Sequence, residues 1–191
     1  QKLKSEEPAR YLDLSRAAVA ETMEATIGEW RRPGSSCAGA LLWFWKDLWA
    51  SSGWGVLDWM GAPKSPWWAM RRAFRQRQIM LSDEGVNGLH VHCLNESDAP
   101  FAGRISLRCY RDGATIVMDA SQDIEIEARG AVSLRDCEMW GAFFDTAYAY
   151  RFGPPSHDAT VATLIDASGD VIADAWHFPL GRPAALCGPS L

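Results

Sequence analysis

No run of 18 consecutive apolar residues occurs in this 191-residue chain, so no segment is long and apolar enough to be read as a membrane-spanning helix, and no signal-peptide pattern opens it. The five cysteines (Cys37, Cys93, Cys109, Cys137, Cys187) are an odd number with no CxxC pair. That argues against a disulfide framework and predicts free thiols in a reducing, cytoplasmic setting. Lysine is absent after Lys64. Residues 1–83 hold 12 Lys+Arg against 9 Asp+Glu, or +3, while residues 84–191 hold 7 against 15, or −8. The net charge of −5 argues against nucleic acid as a partner. The sequence shows no internal repeat and no low-complexity segment. It begins with Gln1, which suggests a processed chain or a piece of something longer.

Tryptophan is abundant. Seven of ten fall between Gly39 and Phe74: Trp43, Trp45, Trp49, Trp54, Trp59, Trp67 and Trp68. Each indole can bury roughly 150–250 Å², so such a cluster implies an aromatic core or an aromatic-lined cleft. Before it, Leu12, Val19, Met23, Ile27 and Trp30 fall within about 60° of one another on a helical wheel. This predicts a helix from Pro8, ended by Pro33-Gly34, with residues 1–7 frayed. Cys37 to Trp45 lacks polar alternation and reads as a parallel strand covered on both faces. Gly61 to Lys64 reads as a turn, followed by a helix over 65–78 with Ser65 as N-cap and Pro66 at its first position.

Beyond Gln78 short alternating runs follow closely: 78–81, 88–95, 103–110, 114–118, 123–128, 132–137, 147–152, 160–166 and 171–178. Asn95 to Asp98, Arg111-Asp112-Gly113, Gly153-Pro154-Pro155 and Ser168-Gly169-Asp170 punctuate them as turns. Seven to nine strands in this length predict an immunoglobulin-like antiparallel β-sandwich without its inter-sheet disulfide. The fold class is therefore α+β. The expected organisation is a helix-strand-helix segment over 1–78, a sandwich over 79–180 and a loose tail over 181–191.

The tryptophan stretch resembles the end of the catalytic barrel in family 2 glycoside hydrolases, specifically the β-mannosidases. Gly39-Ala40-Leu41, Trp43, Asp47-Leu48-Trp49, Trp54, Asp58, Gly61, Pro63-Lys64 and Ala69 to Phe74 match the family segment in order. Phe44-Trp45-Lys46 and Ala50 depart from it, standing where the family has Gln-Leu-Asn and proline. Upstream, Arg10-Tyr11, Ser15, Ile27 and Trp30-Arg31-Arg32 are similar to the helix before the last barrel strand. The resemblance implies a remnant of a (β/α)8 barrel, followed by the sandwich those enzymes carry. It implies a β-mannoside substrate, handled by the full enzyme through double displacement without a cofactor. The family's two catalytic carboxylates sit upstream of this helix, so the chain alone is expected to be inactive, with no catalytic residue of its own.

Four residues are candidates for substrate binding. Trp43 stands near the C-terminal end of the expected strand, where barrel active sites lie, and is either a sugar platform or a core residue. Asp47, Trp49 and Trp54 follow in the next loop and either line the cleft or pack beneath the sandwich. His90 and His92 share one strand face, but no third ligand is evident nearby, so no metal is expected. Trp140 and Trp176 fit core positions, or packing on the barrel, better than a carbohydrate surface. The acidic run Asp119 to Glu127 reads as a solvated strand face. The rival reading is a non-catalytic sandwich module binding glycan or protein, and β-galactosidase or β-glucuronidase remain alternative specificities. An exposed apolar face on the first segment would drive self-association or packing against the rest of a barrel.

Overall fold

The computed structural model describes residues 2–182; Cys187 and most of the expected tail lie outside them. The chain divides into two compact units, residues 1–75 and the chain from residue 76 onward.

The first unit is helical. A short helix, α1 (Lys2–Glu6), forms where fraying was expected, and leads into α2 (Pro8–Arg31), which Pro8 enters in its first turn. Only Ile27 of α2 is buried; Leu12, Val19 and Trp30 on the expected apolar stripe remain exposed. Helix α3 (Ser65–Ala73) packs on α2 through Ala69 and Ala73 and through Arg72, whose guanidinium makes two 3.0 Å hydrogen bonds to Glu24. It ends at Ala73, not residue 78, and Lys64, not Ser65, stands at its N-cap. The early stop has a cause. Arg31 donates to the carbonyls of Ala73 and Arg75, taking up acceptors that a further helical turn would have used.

The expected strand over Cys37–Trp45 does not form. This segment is largely exposed; among the described residues only Trp45 at its end has a backbone partner, its carbonyl accepting from the Leu57 N–H, and neighbouring Lys46 makes one isolated bridge, also to Leu57. A strand is stable only when its N–H and C=O groups meet a partner, and among the described residues none runs beside it.

Among its described residues the second unit is a seven-stranded sandwich. Strands β1 (Arg77–Asp83), β2 (Leu89–Asn95) and β5 (Gly130–Arg135) form one antiparallel sheet in the order β1-β2-β5. Strands β3 (Phe101–Arg111), β4 (Thr115–Ile126), β6 (Ala159–Asp166) and β7 (Val171–His177) form the other, in the order β4-β3-β6-β7. Ile79, Val91, Ile105, Leu107, Ile126 and Leu164 meet between them, fully buried. This is the expected immunoglobulin-like arrangement, with β4 on the four-stranded sheet.

Three local readings change. The runs 114–118 and 123–128 are one strand, because Ser121 and Gln122 keep pairing with Ser106 and Ile105 on an exposed face. After β5 the chain turns into a short helix, α4 (Asp136–Trp140), instead of extending to Cys137. Residues 147–152 are not a strand. Asp145 accepts hydrogen bonds from the Ala149 and Tyr150 backbone, and Tyr148 and Arg151 both take positive φ, which a strand excludes.

Candidate functional site

The tryptophan-bearing loop is built around Asp47. The Asp47 N–H donates to Leu57 O (3.1 Å) and the Leu57 N–H to Trp45 O (3.0 Å), closing residues 48–56 into a loop. The Asp47 side chain turns inward, leaving the residue 4% exposed. Its Oδ1 accepts from the Gly55 N–H at 2.7 Å, and Lys64 Nζ lies 2.5 Å from Oδ2 while donating to Gly53 O at 2.9 Å. The Oδ2 contact is ionic more than directional, for that oxygen has no aligned hydrogen bond. Lys64 holds the Asp47 carboxyl below its ordinary value, outweighing burial, which acts the other way. Any side chain at Gly53 would strike the Asp47 carboxylate, and a Cβ at Gly55 would lie 2.5 Å from the Asp47 backbone nitrogen. Asp58 closes the next turn, its Oδ1 accepting from Met60 and Ala62 N–H, with Gly61 at φ +93°.

The structure separates the four candidate residues into two kinds. Asp47 sits beneath the loop with its carboxylate engaged. Trp43, Trp49 and Trp54 project outward, at 76, 66 and 76% exposure, and the Trp43–Phe44 peptide is cis. Trp45 and Trp59 are also about half exposed, and Arg71 lies over the rings of Trp67 and Trp68. The cluster is therefore a surface of indoles, not an aromatic core. Such faces can stack on the C–H face of a pyranose, but they move no proton. The helix carboxylates Glu24 and Glu29 are paired with Arg72 and Arg32. The role of Lys64 as the counter-charge of Asp47 escaped sequence reading, since nothing in their separation shows that they meet.

In the sandwich, Trp140 packs against the core, while Trp176 is 41% exposed, donates to Asp174 and stacks on Phe178. The acidic run is a solvated face, where Asp123 and Asp119 pair with Arg104 and Arg108 across the strands. His92 is buried between Ser82 and Ser133, and Glu84, which sequence reading did not link to the histidines, lies close to both His90 and His92.

No protein-family model matches the chain. Among curated proteins it is similar to β-mannosidase B of Aspergillus niger, 35% identical over 113 residues, covering 51% of this chain and 13% of that protein. β-Mannosidase B of Emericella nidulans is 34% identical over 77 residues, 39% of this chain and 9% of that protein. Among solved structures, the β-D-mannosidase of Dictyoglomus thermophilum superposes on 93% of this chain with a TM-score of 0.72 at 19% identity. The exo-chitosanase of Amycolatopsis orientalis superposes on 84% with a TM-score of 0.61 at 15% identity. The matched regions span about a tenth of the curated relatives and about a fifth of these two solved chains. In sequence the chain is similar to a short stretch of β-mannosidases, and in fold to a part of a solved β-D-mannosidase.

Proposed function

We propose that this chain serves a retaining β-mannosidase that removes terminal β-linked mannose, supplying an aromatic substrate platform and the sandwich that follows it in the chain. One observation supports this most: Trp49 and Trp54 present exposed indoles from a loop fixed from below by Asp47, Gly55 and Lys64, and Trp43 presents a third from the segment that leads into it. Retaining hydrolysis uses two carboxylates about 5–5.5 Å apart, as acid/base and nucleophile. The family resemblance assigns both to other parts of the enzyme, so this chain orients sugar and contributes no proton transfer. Asp47 acts as a positioning residue beneath the platform. The four free cysteines among the described residues suit a reducing, cytoplasmic location.

The test uses 4-nitrophenyl β-D-mannoside, with the galactoside and glucuronide as comparators. The isolated 191-residue chain should not turn it over. In an enzyme that carries this segment as the end of its catalytic barrel, Trp43→Ala should lower kcat/KM about tenfold or more, roughly 1.4 kcal/mol of transition-state binding. Turnover by the isolated chain that survives Glu→Gln controls would overturn the reading. So would a full enzyme indifferent to Trp43.

A second reading rests on Trp176. Its exposed ring, stacked with Phe178, is a flat aromatic surface on a non-catalytic sandwich. If the sandwich itself binds glycan, mannosides will quench tryptophan emission in a Trp43→Ala chain but not in a Trp176→Ala chain.

A further inference from the structure

The turn after β1 brings a carboxylate back over the histidines of β2. The Glu84 N–H donates to Gly88 O (3.0 Å) across the single 3-10 turn Gly85–Asn87, and Gly88 takes φ +78°. In the antiparallel register Ser82 faces His90, Met80 faces His92, and Ser133 of β5 flanks His92 on its other side. His90 and His92, two residues apart, share one face of the strand. Glu84, His90 and His92 each offer a ligand atom, and the three atoms lie within 4.8 Å of one another.

Two further features point to a cation. His90 Nε2 is shut off from solvent with no hydrogen-bond partner, a costly state for an imidazole nitrogen unless something else occupies its lone pair. His92 is already oriented on both sides: Nδ1 lies 2.8 Å from Ser133 Oγ, and Nε2 lies 2.9 Å from Ser82 Oγ, which donates onward to Glu84 Oε1 at 2.7 Å. Ser82 has one hydroxyl proton, so while it donates to Glu84 the His92 Nε2–H donates to Ser82 Oγ; a metal at Nε2 would take the place of that proton, with His92 then giving Nδ1–H to Ser133. Fixing a ligand imidazole through its far nitrogen is the usual outer-shell arrangement of metal sites.

We propose that Glu84, His90 and His92 bind one divalent transition-metal ion, Zn²⁺ foremost, which fastens the turn after β1 to β2. Two imidazoles and one carboxylate are a donor set for zinc and its neighbours; calcium and magnesium prefer all-oxygen sites. Zn–N and Zn–O bonds of about 2.0–2.2 Å require the three side chains to close in by small rotations, with water at a fourth position. The three residues belong to the sandwich alone, so the site does not depend on the sugar-binding reading.

The experiment titrates the metal-free 191-residue chain with Zn²⁺ by calorimetry and with Co²⁺ by visible absorption. One equivalent should bind, with a rise in Tm. His90→Ala should abolish the Co²⁺ absorption, Glu84→Gln should weaken binding at least tenfold, and Cys37→Ser should change nothing, excluding the exposed thiol as the ligand. Glu84→Gln keeps an acceptor for Ser82 at a partly exposed position, and circular dichroism confirms that each variant folds. Absence of saturable 1:1 binding by the folded chain overturns the proposal. Wild-type affinity in either the Glu84 or the His90 variant does so equally.

Discussion

Asp47 shows how one side chain can organise many others. Two exposed tryptophans, Trp49 and Trp54, sit on a loop that closes on a single carboxylate, held by Gly55 N–H and Lys64. Gly55→Ala should therefore disturb the loop more than an ordinary glycine substitution. Its Cβ would meet backbone atoms of Asp47 and Leu57, which cannot swing away, and overpacking of this kind costs about 1–3 kcal/mol. Chemical denaturation followed by tryptophan emission should show the loss. The Asp47 carboxyl is held low chiefly by Lys64, so its contribution has a definite pH window. It is complete above the ordinary carboxyl value of 3.8 and is lost as pH falls through the lower folded value. The acid midpoint of tryptophan emission should shift in Asp47→Asn relative to wild type, the difference removing the contribution of other carboxylates. Sequence reading singled out Asp47, Trp43, Trp49 and Trp54 together, because all four lie in the matched stretch. What it could not supply was direction: indoles outward, carboxylate inward. That depends on Lys64 folding back from the start of α3.

At the scale of elements, the sandwich was legible because alternation and turn residues are local signals. The strand expected over Cys37–Trp45 was not, because an apolar run records only that burial is favourable and says nothing of whether a partner strand lies beside it. Where the chain joins elements, single polar residues decide. Asn95 ends β2 fully buried, its amide donating to the carbonyls of Ala99, Ile126 and Glu127 while Oδ1 accepts from Ser97 N–H and Oγ. Asn95→Ala strands three carbonyls and should cost roughly 1–3 kcal/mol; Asn95→Asp, which sets a carboxylate against them, should cost more. Denaturant midpoints of the two variants check the order. His157 is buried against Thr160 and Phe144, and desolvation lowers its pKa to about 4, from an ordinary 6.5. Below 6.5 the unfolded chain takes up a proton that the folded one refuses. Stability should thus fall by about 3 kcal/mol between pH 6.5 and 4 and then level off. His177, lowered by burial too, adds in the same direction. His157→Phe should flatten the slope in thermal melts across this range.

For the whole molecule, the two units differ in how they treat apolar surface. The sandwich encloses a core of its own, with Ile79, Val91, Ile105, Leu107 and Leu164 at or near zero exposure, and leaves Phe143, Phe152 and Trp176 at its surface. The first unit buries Ile27, Val56, Ala69 and Ala73 and leaves Leu12, Val19, Leu41, Leu48 and Met60 exposed beside its tryptophans. Trp43, Trp49 and Trp54 alone present on the order of 400 Å² of indole, comparable to the largest apolar patch of a typical soluble monomer. Surface of this kind associates, because covering it contributes about 25 cal/mol per Å². The isolated chain should therefore run as an oligomer in light scattering at tens of micromolar. Replacing Leu41, Leu48 and Met60 by serine should shift it toward the monomer without changing the pH response of His157, which belongs to the sandwich. A chain from Gln76 onward, which lacks the exposed tryptophans of the first unit, should associate less than the whole chain. Monomeric behaviour of the whole chain at that concentration would mean that the exposed face is covered in solution by the chain's own rearrangement. The tryptophans would then be shielded from solvent, and weak acrylamide quenching of their emission in the monomer would show it.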